Sequence, residues 1–168
     1  MSSIVEGRTG GGGRCLSIVA SRFNREIVTG LLDGAREVLQ TEGVADDDVT
    51  VVWVPGALEL PLAAARVAAR GEFDGIIALG CVIRGETAHF EHVSREAIAG
   101  LMDVSRREGV PVAIGILTVD TPAQARIRAG LDPDPGTDKE SQDRHRGREA
   151  ARACLEMIDL LDRLEKGP

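Results

Sequence analysis

Four short apolar runs, rich in Val and Ile and closed by turn residues, constrain this chain most. They are Cys15–Ala20 (CLSIVA), Val49–Val54 (VTVVWV), Gly75–Gly80 (GIIALG) and Pro111–Leu117 (PVAIGIL). None alternates apolar with polar residues as a half-wet strand does, so they read as strands buried on both faces. Between them apolar residues recur at helical spacing. Val28, Leu31, Leu32, Ala35, Val38 and Leu39 make one stripe, and Leu58, Leu62, Ala65 and Ala69 a second. Val93, Ala97, Leu101 and Val104 make a third; Ala151, Cys154, Leu155, Ile158 and Leu161 belong to a last helix near 147–164. A shorter helix is expected near 122–129. Strands alternating with helices require right-handed crossovers, hence an α/β fold with four parallel strands and helices on both faces.

At 168 residues the chain is long enough for one core. The expected organisation is a flexible tail over 1–13 and one domain over 14–168, with an extended Pro-, Asp- and Gly-rich loop over 131–146 before the last helix. The tail's glycines are not followed by GK[ST], which argues against a phosphate loop. The start also lacks the apolar stretch of a signal peptide, and no run approaches a membrane span. A net charge of −7 argues against an extended nucleic-acid surface. An anionic ligand would need a local arginine site. Cys15, Cys81 and Cys154 are odd in number and unclustered, which suits a reducing cytoplasm better than a disulfide framework.

A parallel sheet binds ligands beyond the carboxyl ends of its strands, near the point where strand order reverses. The segments expected there are SRFNRE (21–26), PGALE (55–59), the stretch 81–92 and 118–121. Phe23, one of four aromatics in the chain, is either a core residue folding back or a stacking face for a planar ring. The turn at Pro55–Gly56 leads into a helix start whose free N–H groups can bind an acceptor. Glu59 there either complements the helix dipole or accepts hydrogen bonds from a polyol. In GETAH, Glu86 and Thr87 open a further helix suited to an anion, and His89 beside them can move protons near neutrality.

His89 and His92 stand three apart but lack a third ligand, and HFE (89–91) has no PCxxC partner, so no metal is expected. Arg126 and Arg128 are both placed to clamp a phosphate, and spacing does not choose between them.

SRFN, VPGALELP, ALGCVIRGETAHFEHV, GILTVDTPAQARIRAG and RGREAARACLEM occur in this order from about Arg14 to Leu161. Together they resemble the lumazine synthase family of riboflavin biosynthesis. The resemblance implies a flavodoxin-like three-layer sandwich and a cofactor-free transferase of the cytoplasm. It would condense 5-amino-6-(D-ribitylamino)uracil with 3,4-dihydroxy-2-butanone 4-phosphate.

Carried onto this sequence, the resemblance gives Phe23 the pyrimidine ring, and Ala57, Leu58 and Glu59 the ribityl chain and ring edge. Cys81, Val82 and Ile83 would line the pocket, Glu86 and Thr87 receive phosphate, and His89 move protons. Ile114 and Arg128 would reach the site from an adjacent subunit of a pentamer, which selects Arg128 over Arg126. Arg146 stands for the family's lysine before the last helix, with Lys139 a competing candidate. Leu58 and Ile114 occupy positions where many members carry an aromatic, and Cys81 one where threonine or glycine is commoner. The 131–146 loop, longer than in many relatives, is expected to block shell packing and leave a pentamer or a pair of pentamers. A flavin- or lumazine-binding homologue without catalysis is the competing reading, and retained His89 and Arg128 speak for the enzyme.

Overall fold

The computed structural model describes residues 3–133 and 144–167. Its elements follow the alternating pattern: β1 (Leu16–Ser21), α1 (Arg25–Thr41), β2 (Val49–Val54), α2 (Leu60–Ala68), β3 (Gly75–Ile83), α3 (His89–Glu108), β4 (Val112–Val119), α4 (Pro122–Arg128) and α5 (Arg146–Lys166). Single 3-10 turns at Asp46–Asp48 and Ala57–Glu59 precede β2 and α2. The strands form one parallel sheet in the order β2-β1-β3-β4. Strand order therefore reverses between β1 and β3, and a crevice opens there at the carboxyl ends.

Two apolar layers cover the sheet. On one face Leu16, Ile18 and Leu79 pack with Leu31 of α1 and Leu155 of α5. On the other, Val19, Ile76 and Ala78 pack with Leu60 of α2 and Leu101 of α3. Central β1 is buried throughout and β3 nearly so, while edge strand β2 is half-exposed. This is the flavodoxin-like α/β sandwich expected. Among the described residues no helix is long and apolar enough to cross a membrane.

The helical stripes of α1, α3 and α5 are buried largely as their spacing predicts, but that of α2 is not. Its buried residues are Leu60, Ala64, Val67 and Ala68, whereas Leu58 is 48% and Leu62 69% exposed. The sequence LPLAAARVA is apolar on more than one side, so contact with Val19 and Leu101 selects the face, not periodicity.

The segment expected as a free tail touches the helices over its last half. The Arg8 amide donates to Asp159 at 2.8 Å, Thr9 Oγ1 lies 3.0 Å from Glu42, and the Gly11 amide donates to the Glu42 carbonyl oxygen at 2.8 Å. Arg14 pairs with Asp162 and Asp74. Most of the 131–146 loop, with Lys139, lies outside the described residues.

Candidate functional site

Each strand end is tied to its neighbour, and that fixes the loops above the crevice. The Arg22 and Phe23 amides donate to the carbonyl oxygens of Val54 and Pro55 at 2.8 and 3.1 Å. The Arg84 amide donates to the Val119 carbonyl oxygen at 2.9 Å. Asn24 precedes α1 in the left-handed region, with φ 57° and ψ 44°, a conformation asparagine tolerates better than most residues. Its side-chain amide donates to the Cys81 carbonyl oxygen at 3.0 Å, bridging the ends of β1 and β3.

These loops enclose a cavity of about 360 Å³. Nine of the residues expected from the sequence meet in it. Phe23 lies on one side, 70% exposed and so available as a flat apolar face. Ala57, Leu58 and Glu59 come from the turn before α2, Cys81, Val82 and Ile83 from the end of β3, and Thr87 and His89 from the start of α3. β3 continues to Ile83, past the expected end at Gly80, so the last three are strand residues and not loop. Glu86 is exposed on the same loop but does not line the cavity.

Gly56 and Gly85, read from the sequence as turn residues beside the site, complete the lining together with Phe90 and Val93, to which the sequence had given no role there. Val93 carried a signal in its spacing, four residues after His89 and three after Phe90, which sets it on the next turn of α3 beside both.

Electrostatics narrow the chemistry. Burial pushes the Cys81 thiol up to about 11, so the sulfur is a neutral wall and not a nucleophile. Arg84, at the cavity's outer margin, is already engaged. It lies 2.7 Å from Asp120 and 3.7 Å from Glu91, and its guanidinium stacks 4.6 Å from the Phe90 ring centre. The hydrogen bond to Asp120 raises its pKa further. His89 is exposed at the first position of α3, and its backbone N–H approaches Thr87 Oγ1 at 3.4 Å. The Glu91 amide donates to the Ala88 carbonyl oxygen at 3.0 Å, and the Phe90 amide, with no acceptor a full turn back in the helix, can receive an anion. No cluster of three or more His, Cys, Asp or Glu with metal-binding geometry occurs among the described residues.

Arg128, Arg146 and Ile114 lie elsewhere. Ile114 sits within β4, half-buried against the α2 and α3 layer. Arg128 and Arg146 line a second cavity of about 450 Å³ beside β4, which shares no lining residue with the first. The structure also separates the two arginines that spacing left equal. Arg126 is held by Glu26 at 2.7 Å and by Asp132 at 2.8 and 3.1 Å, and these partners drive its pKa well above the usual arginine value. Arg128 makes no ion pair among the described residues and only reaches the Gln124 carbonyl oxygen at 3.5 Å.

A doubly wound parallel sheet with a ring-sized apolar cavity at its switch point, a polar turn on one flank and an imidazole at a helix start, defines an α/β enzyme of small-molecule chemistry. Residues 13–162 match the sequence model of a family described as 6,7-dimethyl-8-ribityllumazine synthase. The chain belongs to that family, and it is a transferase of riboflavin biosynthesis.

Proposed function

We propose that the protein condenses 5-amino-6-(D-ribitylamino)uracil with 3,4-dihydroxy-2-butanone 4-phosphate, forming 6,7-dimethyl-8-ribityllumazine and releasing phosphate and water. The observation that carries this reading is the convergence of Phe23, Glu59 and His89 on one cavity of suitable size. The pyrimidine ring stacks on Phe23 and the ribityl hydroxyls donate to Glu59, while the turn at Ala57–Leu58 and the wall of Cys81, Val82 and Ile83 hold the ring edge. The ring amine adds to the ketone carbonyl and loses water to give an imine. Loss of the proton on the neighbouring carbon then expels phosphate and leaves an enol that becomes a ketone, and the ribityl-bearing amine closes the ring on that carbon with loss of a second water.

His89 supplies and removes protons in these steps, a role worth about 10²–10⁴ in rate. The remainder comes from holding two reactants together in one orientation. Thr87 and Glu86 lie on the loop that meets the phosphate end. Neither a metal nor a redox cofactor enters the chemistry.

The arginine cavity and the ring cavity share no residue, which supports an active site built from two copies. Arg128 then binds the substrate phosphate of a neighbouring copy, with Arg146 accessory and Ile114 against the ring. The exposed Leu58 and Leu62 suit an interface of this kind. The assembly is a cytoplasmic pentamer, or a pair of pentamers, its shell form blocked by the 131–146 loop.

Mixing purified protein with both substrates and following lumazine fluorescence tests the reading. Steady product formation, slowed in His89→Ala with pyrimidine binding retained, is expected. Ring binding without any product would replace it with a lumazine- or flavin-binding role.

A further inference from the structure

Three guanidiniums line the cavity beside β4, those of Arg128, Arg144 and Arg146, in a chain whose net charge is −7. They arrive from two segments, Arg128 from the end of α4 and the other two from the start of α5. Arg146 is paired with Glu149 at 2.9 Å. The site therefore depends on how the α4 end and the α5 start are held relative to each other.

One side chain lies between them. His145 separates Arg144 from Arg146 in sequence, yet it is only 8% exposed. Its Nδ1 accepts the Arg148 backbone N–H at 3.4 Å, capping α5. Its ring lies against Gly130, the residue closing the α4 turn, where a β-carbon would stand 2.8 Å away. It lies closer still to Gly34 of α1, where a β-carbon would collide with the ring. The same floor, α1, meets both segments again, since β-carbons at Gly30 and Gly147 would strike the backbone carbonyls of Ala129 and Leu31.

We propose that neutral His145 is the positioning residue of this arginine cavity, pinning the α4 end that carries Arg128 to the α5 start that carries Arg144 and Arg146. The inference rests on the reading above, in which this cavity holds the substrate phosphate. The imidazole must be neutral because the cap uses the Nδ1 lone pair. A proton there turns an acceptor into a donor facing another N–H and sets a cation at a helix N-terminus.

The charged groups around the ring are Asp33 and Glu37 on α1, Asp132 beyond α4, and Arg144, Arg146 and Arg148 at the α5 start. Glu37 is taken by Arg148 at 2.6 Å and Asp132 by Arg126, which leaves Asp33 as the carboxylate of the three without an ion pair among the described residues. Burial, followed by the nearby Arg148, keeps the imidazole pKa below its ordinary value.

The test compares Michaelis constants for the two substrates in the assembled enzyme. His145→Ala is expected to raise that of the phosphate ester about tenfold, with the pyrimidine constant changed by less than about twofold. His145→Asn, whose amide can cap the helix, restores most of the loss. Equal rises for both substrates, or none, overturn the proposal. Should His145→Ala not fold, calorimetric binding of sulfate to the His89→Gln protein decides, because sulfate keeps its charge throughout. Affinity is expected to fall as pH drops below about 6.5. Affinity that stays flat, or that rises with the added positive charge, overturns the proposal. Arg128→Gln separates the two levels: an unchanged constant for the phosphate ester removes the phosphate reading itself, and this inference with it.

Discussion

The side-chain amide of Asn24 donates to the Cys81 carbonyl oxygen at 3.0 Å, and that one bond spans the switch point of the sheet. It joins the loop that carries Phe23 to the strand end that carries Val82 and Ile83, so the two flanks of the cavity move together. Asn24→Gly keeps the left-handed backbone but loses the bond. Stability is expected to fall by about 0.5–1.5 kcal/mol, with a larger loss in pyrimidine affinity than in turnover. Asn24→Ala adds a strained backbone costing about 1–2 kcal/mol more. Urea denaturation of both variants checks the order.

Arg126 and Arg128 are expected to behave differently although they are two residues apart. Arg128→Gln should raise the Michaelis constant for the phosphate ester by about tenfold or more, as loss of a charge-assisted contact does. Arg126→Gln should lower the melting temperature through Glu26 and Asp132 and leave that constant nearly unchanged. Steady-state kinetics and calorimetry on the pair separate these outcomes.

The α1–α5 contact has no room for a methyl group at Gly147, because a β-carbon would meet the Leu31 carbonyl oxygen. Backbone cannot swing aside as a flexible side chain can. Gly147→Ala is expected to destabilise by about 1–3 kcal/mol, the usual range for overpacking. Unfolding in urea reads this directly, and an unchanged midpoint would show that the helices separate freely.

Stability should depend on His145 in mild acid. Its folded pKa lies below the unfolded value of about 6.5. The unfolded chain therefore binds the proton first, and the stabilisation present above about pH 6.5 is lost as pH falls through the folded value. Thermal melts between pH 7.5 and 5 should show a decline that His145→Asn flattens, and parallel curves for the two proteins would count against it.

Leu62 projects an apolar side chain from α2 with 69% of its surface open in the single chain. If each site draws on two copies, as proposed above, Leu62→Glu is expected to lower the sedimentation coefficient toward that of one chain and to abolish turnover. A variant that still sediments as a pentamer would place the interface elsewhere.

Much of this molecule is written locally. The Val- and Ile-rich runs determined the four strands, and 3.6-residue spacing determined the buried sides of α1, α3 and α5, since both patterns follow from the direction of consecutive side chains. The motif residues after β1, β2 and β3 could likewise be assigned to one rim, because parallel strands all end on the same side. Tertiary structure alone decided the rest. Strand order set Asn24 against Cys81. Packing against Val19 and Leu101 chose which apolar side of α2 is buried. A carboxylate 100 residues away, Glu26, helps occupy Arg126 and leaves Arg128 available. The burial of His145 also depends on glycines from α1 and the end of α4. Local pattern fixes what each segment can present, but contacts between distant segments determine which groups are consumed and which remain free to act.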